Sequence, residues 1–232
     1  MPRDGAWIFG VMGCMRKRIK LIDRRLPDYS KGEEIMNMVT HITGGALGIA
    51  ALVLCVVRAA LRGGAVDVVG AVIYGVSLIG LYTMSSVYHG LRPGMGKKVL
   101  QVLDHCTIYF LIAGSYTPVA LSAIRPLYPA LGLGLAIGEW ALTALAVTLT
   151  AIDLRKYRVF SMICYIGMGW AVLPFAPQAM EAMGQTGFAL LLAGGIAYTL
   201  GSILYGIGAK KKWLHSVFHI FVVLGSVLHF FD

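Results

Sequence analysis

Charge is scarce in this chain. Of its 232 residues, 13% are Asp, Glu, Lys or Arg, against about 25% in an ordinary soluble domain. So few ionised groups cannot clothe a water-soluble globule, and a bilayer is the natural solvent for what remains. Acidic residues are scarcer than basic ones, 11 against 20, giving a net charge of +9. That excess would suit nucleic acid if the basic residues lined one face. They cluster instead at the ends of apolar stretches, as membrane anchors do, so no nucleic-acid partner is expected. The four cysteines, Cys14, Cys55, Cys106 and Cys164, are widely spaced with no CxxC pair. They read as small packing residues and neither require nor exclude an oxidising compartment. The N-terminus is not expected to act as a signal peptide: the apolar run Ala6 to Met15 is short and precedes its basic cluster, Arg16, Lys17 and Arg18, where a signal has the basic residues first.

What is abundant is apolar sequence, 58% of the chain. Candidate spans fall at about 37–60, 66–89, 100–121, 129–152, 158–177, 187–207 and 214–231, each near the roughly 20 residues that cross a bilayer. The breaks between them are charged or rich in Gly and Pro, as at Arg62-Gly63-Gly64, Arg92-Pro93-Gly94, Arg125-Pro126 and Lys210-Lys211-Lys212, and would be costly in hydrocarbon. Counting sides alternately from the N-terminus, 17 of the 20 Lys and Arg fall on the N-terminal side; Arg58, Arg62 and Arg125 fall on the other. This asymmetry predicts a cytoplasmic N-terminus and an extracytoplasmic C-terminus. The expected architecture is all-α, a seven-transmembrane helical bundle over residues 32–232, preceded by a basic cytoplasmic or interfacial segment, 1–31. The Gly44/Gly48 and Gly134/Gly138 pairs have the spacing that lets helices approach closely in lipid. Pro118 and Pro174 are expected to kink or end their spans.

Ionisable groups inside spans are expensive and point to function. The topology brings several of them to one depth. His89 ends the second span, Asp104 and His105 open the third, and His215 and His219 open the seventh, all at cytoplasmic ends. His215-x-x-x-His219 puts two imidazoles one helical turn apart on one face. With His89 they make three candidate ligands, and imidazole suits zinc, whose catalytic sites commonly use three protein ligands. No glutamate sits between the two histidines as in HExxH, so Asp104 is the natural group to hold or deprotonate a water that zinc acidifies. Ser85, one turn from His89, reads either as a hydrogen-bonding group at the site or as a packing residue. Glu34, Asn37 and His41 share one stripe of the first span. They extend the polar site or cap the helix, with a structural hydrogen bond favoured over ligation for His41. Glu139 falls near mid-membrane, either a proton relay or a protonated or internally paired group. His105 points away from Asp104 and is left out of the ligand set, and His229 is placed at the outer interface.

Taken together, Glu34-x-x-Asn37-x-x-Thr40-His41, Ser85-x-x-x-His89, Asp104 followed by Gly114-Ser115-Tyr116-Thr117-Pro118, and His215-x-x-x-His219 resemble the hemolysin III family. That family is the bacterial branch of the progestin and adipoQ receptor (PAQR) superfamily. The match runs in order over nearly the whole chain after residue 30. The resemblance implies a seven-helix membrane protein with zinc held by His89, His215 and His219, and with Asp104 and Ser85 beside the zinc. It also implies a place in the bacterial inner (plasma) membrane, and possible roles in lipid amide or ester hydrolysis, hemolysis or membrane homeostasis. Two readings follow. One is a zinc-dependent hydrolase acting on membrane lipids; the other is a sensor, channel or pore-forming cytolysin in which zinc is structural.

Overall fold

The computed structural model describes residues 19–208 and 211–231; the short apolar run at residues 6–15, Cys14 and Lys210 lie outside them. Every regular element among the described residues is helical. The first helix, α1 (Lys31–Arg62), starts where Ser30 and Glu33 form a capping box: the Ser30 hydroxyl accepts from Glu33 N–H, and Glu33 accepts from Ser30 N–H at 2.9 Å. This reciprocal pairing satisfies two amides that a helix start leaves open. The helix start is thus capped by Ser30 and Glu33, not by Glu34, for which capping was one of two expected roles. At Gly63 and Gly64 the chain turns into α2 (Ala65–Gly90), where Asp67 accepts from Gly64 N–H at 2.6 Å. Arg92-Pro93-Gly94 then separates α2 from α3 (Met95–Pro118).

Pro118 has no amide hydrogen to donate, and beyond it the helix widens into a π-helical stretch, Val119–Ile124, with a last turn at Arg125–Leu127. Helix α4 (Pro129–Ile152) follows and is capped by Asp153. Helix α5 (Arg158–Gly169) ends before a 3-10 turn at Leu173–Phe175 that contains Pro174. Both prolines therefore interrupt regular α-helix. Helix α6 (Ala176–Gly208) is broken at Gly184, whose φ of 75° only glycine adopts freely. Helix α7 (Leu214–Phe230) begins after Trp213, which holds a left-handed φ of 67°. Its amide donates to Glu33 Oε1 at 2.7 Å, so the capping residue of α1 also fixes the start of α7.

Five stretches are long and apolar enough to cross a membrane: Lys31–Arg62, Ala65–Gly90, Met95–Leu127, Pro129–Ile152 and Arg158–Ile207. Leu214–Phe230 is a shorter apolar helix of 17 residues. Helices adjacent in sequence pack side by side, and α7 returns to α1, which closes the bundle. The outward faces carry exposed Ile42, Ile49, Leu54, Val76, Ile137 and Ile203, while Asn37, His41, His89, Lys97 and Gln101 are buried. This apolar exterior and polar interior is the distribution a lipid solvent favours.

Close approach between α1 and α2 depends on glycine. A Cβ on Gly44 would lie 2.6 Å from the Tyr82 ring, and one on Gly75 would lie 2.6 Å from Leu52. Gly48 similarly abuts Leu78. The second expected pair behaves differently: Gly134 and Gly138 face open space. In α4 it is Gly132 that meets a neighbour, against Ala120 and Arg125, because the buried stripe of α4 runs through Gly132, Leu135, Ala136 and Glu139.

Candidate metal centre

The last turn of α2 and the first turns of α7 meet at one end of the bundle, beside the start of α1. His89 comes from α2, and His215 and His219 from α7. Their facing ring nitrogens all lie within 4.8 Å of one another. His215 Nε2 is 3.4 Å from His89 Nε2 and 3.1 Å from His219 Nε2.

The other ring nitrogens explain this convergence. His89 Nδ1 donates to Glu34 Oε2 at 2.6 Å, and His219 Nδ1 donates to the Asn37 carbonyl at 3.3 Å. With Nδ1 protonated in both rings, both Nε2 atoms present lone pairs to the same point. Lone pairs at such distances repel, and either a proton on His215 Nε2 or a cation between the three rings offsets that repulsion. Ligands about 2.0–2.1 Å from a tetrahedral zinc ion stand roughly 3.3 Å apart, close to the two spacings that His215 Nε2 makes, 3.4 and 3.1 Å. The three histidines could therefore hold a metal ion, and their imidazole donors suit zinc among others.

A second layer of side chains holds these rings. Glu34 also receives Lys97 Nζ at 2.6 Å, and the same ammonium donates to the Leu91 carbonyl at 3.0 Å. Ser216 donates to Asn37 Oδ1 at 2.6 Å, which ties α7 to α1. Tyr29, just before α1, stacks on His215 with ring centroids 4.9 Å apart and planes 15° apart. Burial pushes the Tyr29 phenol well above its usual pKa, so it stays neutral over the His215 ring. Carboxylate–histidine pairs of the Glu34–His89 kind fix ring orientation and raise ligand basicity at metal sites.

Beside the histidines opens a cavity. Its walls are mostly apolar. At the histidine end they carry His41, Ser85 and Asp104, and farther along Trp170, Thr199 and His229. His215 and His229 both line it and lie 14 residues apart on α7, which at about 1.5 Å per residue spans about 21 Å. Ser85 directs its hydroxyl toward the Asp104 carboxyl. Asp104 thus stands in the cavity wall, outside the histidine group.

Other expectations fare differently. Glu34 and Asn37 do extend the polar site, through His89 and His219. His41 is buried but makes no hydrogen bond through either ring nitrogen among the described residues, and lies flat on His219 instead. His105 turns to the Gln101 carbonyl and the Tyr205 hydroxyl. His229 turns inward, with Nε2 donating to the Leu191 carbonyl at 3.1 Å, because Gly194 leaves room for its ring. Glu139 is buried, and its Oε2 has no partner. Sequence reasoning missed Tyr29 and Lys97. Tyr29 lies in a segment without periodicity, and Lys97 is spaced like an ordinary loop anchor.

Comparison with known proteins agrees with this architecture. A family model described as haemolysin-III related matches residues 29–230. Hemolysin-3 of Bacillus cereus is 37% identical over 199 residues, covering 86% of this chain and 89% of that protein. The Hemolysin-3 homolog of Bacillus subtilis is also 37% identical, over 86% of this chain and 92% of its own. The human monocyte to macrophage differentiation factor is 28% identical over 169 residues, 68% of this chain and 66% of its own, which extends the likeness to the wider PAQR superfamily. An integral membrane helix bundle matched from residue 29 to 230, this chain belongs to the haemolysin-III family.

Proposed function

We propose that this protein is a zinc-dependent hydrolase of lipid amides or esters, embedded in the bacterial inner (plasma) membrane. The observation that carries this reading is a cluster of three imidazoles at the polar end of a long apolar cavity, with Asp104 and Ser85 in the same wall. Zinc held there by His89, His215 and His219 would polarise a lipid carbonyl and acidify a water molecule. The protein's own groups would do the rest. Asp104 accepts and returns the proton, Ser85 orients the Asp104 carboxyl, Glu34 holds His89, and the apolar walls take up an acyl chain and exclude bulk water. Such an enzyme would adjust the composition of its own membrane.

The topology that goes with it has seven spans, a cytoplasmic N-terminus and an extracytoplasmic C-terminus, with residues 1–31 as a basic segment on the cytoplasmic face. The Arg158–Ile207 stretch of 50 residues is too long for one crossing of a roughly 30 Å hydrocarbon core. Gly184 breaks it, and Trp170 Nε1 donates to Thr199 Oγ1 at 3.0 Å across that break. This pairing supports two antiparallel spans meeting at Gly184. The 17-to-3 partition of Lys and Arg supports the orientation.

Metal analysis and lipid turnover test the reading together. Purified protein is expected to carry one zinc per chain and to lose it in the His215→Ala/His219→Ala variant. The zinc-loaded protein is expected to release fatty acid from a panel of amide and ester lipids, and Asp104→Ala to abolish that release while retaining zinc. A metal-bearing protein that turns over nothing on a broad panel would falsify the hydrolase. The name of the Bacillus cereus relative favours a second reading, a cytolysin with structural zinc. Liposome leakage that persists in His89→Ala would support a pore independent of the metal; intact liposomes would count against it.

A further inference from the structure

Among the described residues, three histidines of the cavity wall have buried ring nitrogens without a partner: His215 and His229 at Nδ1 alone, and His41 at both. His41, on α1, is 3% exposed, and neither of its ring nitrogens has a hydrogen-bond partner. A neutral imidazole always carries one N–H and one lone pair, and leaving them unmade in a buried site carries the full desolvation penalty. The nearby groups that might have answered them are engaged elsewhere. The Asn37 carbonyl takes His219 Nδ1, the Tyr82 hydroxyl donates to Ser226 Oγ at 2.6 Å, and the Ser85 hydroxyl is turned to Asp104.

The ring is nevertheless held in place. It lies flat on His219, with centroids 3.7 Å apart and planes 19° apart, and it meets Tyr82 edge-on at 5.1 Å. His219 is itself tied to the α1 backbone. The direction of the two His41 nitrogens is therefore set by packing, in a ring that lines the cavity. A donor and an acceptor held at the histidine end of a mostly apolar chamber match an amphiphile whose neutral end both accepts and donates a hydrogen bond.

We propose that His41 is the head-group contact of this cavity, binding the hydroxyl-bearing end of a neutral single-chain lipid while the chain extends toward His229. The inference rests on the cavity being a lipid site, the part of the proposed function that does not require turnover. It assigns His41 to the substrate rather than to the metal.

The test uses 1-O-hexadecylglycerol, an ether lipid that has the hydroxyls and the chain but no hydrolysable bond. Its binding, tritiated, is measured to the full chain in nanodiscs, with zinc content determined on the same samples. Wild-type protein is expected to bind it, with hexadecane at least about tenfold weaker as a competitor, the range set by one or two hydrogen bonds. His41→Phe keeps a flat ring on His219 but removes both polar atoms. It is expected to weaken ether-lipid binding about tenfold with zinc content unchanged. His41→Gln, which restores a donor and an acceptor, is expected to recover most of it. Equal binding by wild type and His41→Phe would overturn the proposal. Should His41→Phe not fold, the competition in wild type decides alone: hexadecane competing as well as the ether lipid would sink it. Zinc-free protein that binds the lipid with the His41 dependence intact would separate this inference from the metal reading.

Discussion

A single carboxylate organises the candidate metal centre. Glu34 binds His89 Nδ1 through one oxygen and Lys97 Nζ through the other, each at 2.6 Å. Its charge holds the His89 N–H toward α1 and leaves the opposite lone pair for a metal. Glu34→Gln keeps an acceptor but removes the charge and strands the buried Lys97 ammonium. Zinc affinity, measured against a chelating dye, is expected to fall about 10–100-fold, as when such orienting partners are lost elsewhere. An unchanged affinity would remove Glu34 from the site. At this scale the sequence was legible where a helix fixes the spacing: His215/His219 and Ser85/His89 are each one turn apart, and both pairs reach the site region. It was opaque where partners come from different helices. Glu34 and His89 are 55 residues apart, and nothing in a local pattern couples them. Lys97 sits beside Lys98 in a basic break, yet only Lys97 is buried.

Between elements, glycine decides how closely helices approach. Gly44 sits against the Tyr82 ring and Gly134 against nothing. Gly44→Leu is expected to force α1 and α2 apart, with a cost of about 1–3 kcal/mol. Gly134→Leu is expected to stay within about 0.5 kcal/mol of wild type. Thermal unfolding of the two variants in the same detergent checks this; equal shifts would mean that the α1–α2 contact does not depend on Gly44. The helices and their breaks were readable because Pro, Gly and charge end an apolar run for local reasons. The facing of Gly134 was not, since a small-residue spacing marks a stripe and does not say which neighbour it meets. The widening after Pro118 was foreseen as a kink, but its π-helical form depends on how the freed carbonyls repack.

For the molecule as a whole, the segment ahead of α1 is fastened to the far side of the same end. Asp153 accepts from Ile19, Arg155 and Lys156 amides. Burial pushes its carboxyl up, but these three amides and the charge of Arg24 outweigh it and hold the carboxyl below the usual range. The resulting stabilisation is present above the unfolded value of about 3.9 and is lost as pH falls through the lower folded value. Protection of the residue 19–24 amides against exchange, taken relative to the unstructured chain at the same pH, is therefore expected to fall below about pH 4. In Asp153→Asn that protection is expected to be low throughout the same window; wild-type protection that stays constant from pH 6 to 3 would contradict the link.

The histidine cluster also carries a consequence for biosynthesis. Its ligands come from helices whose contributing residues lie 126 positions apart, and the amide of Trp213 must reach Glu33 before α7 is seated. At about 5–20 residues per second, some 6–25 s separate the emergence of His89 from that of His215. Throughout that interval the nascent chain has only one of the three candidate ligands, His89, too few to complete the site. Zinc bound as proposed would wait for the last helix, and a chain halted after Gly208 is expected to be recovered without zinc however well its first helices insert.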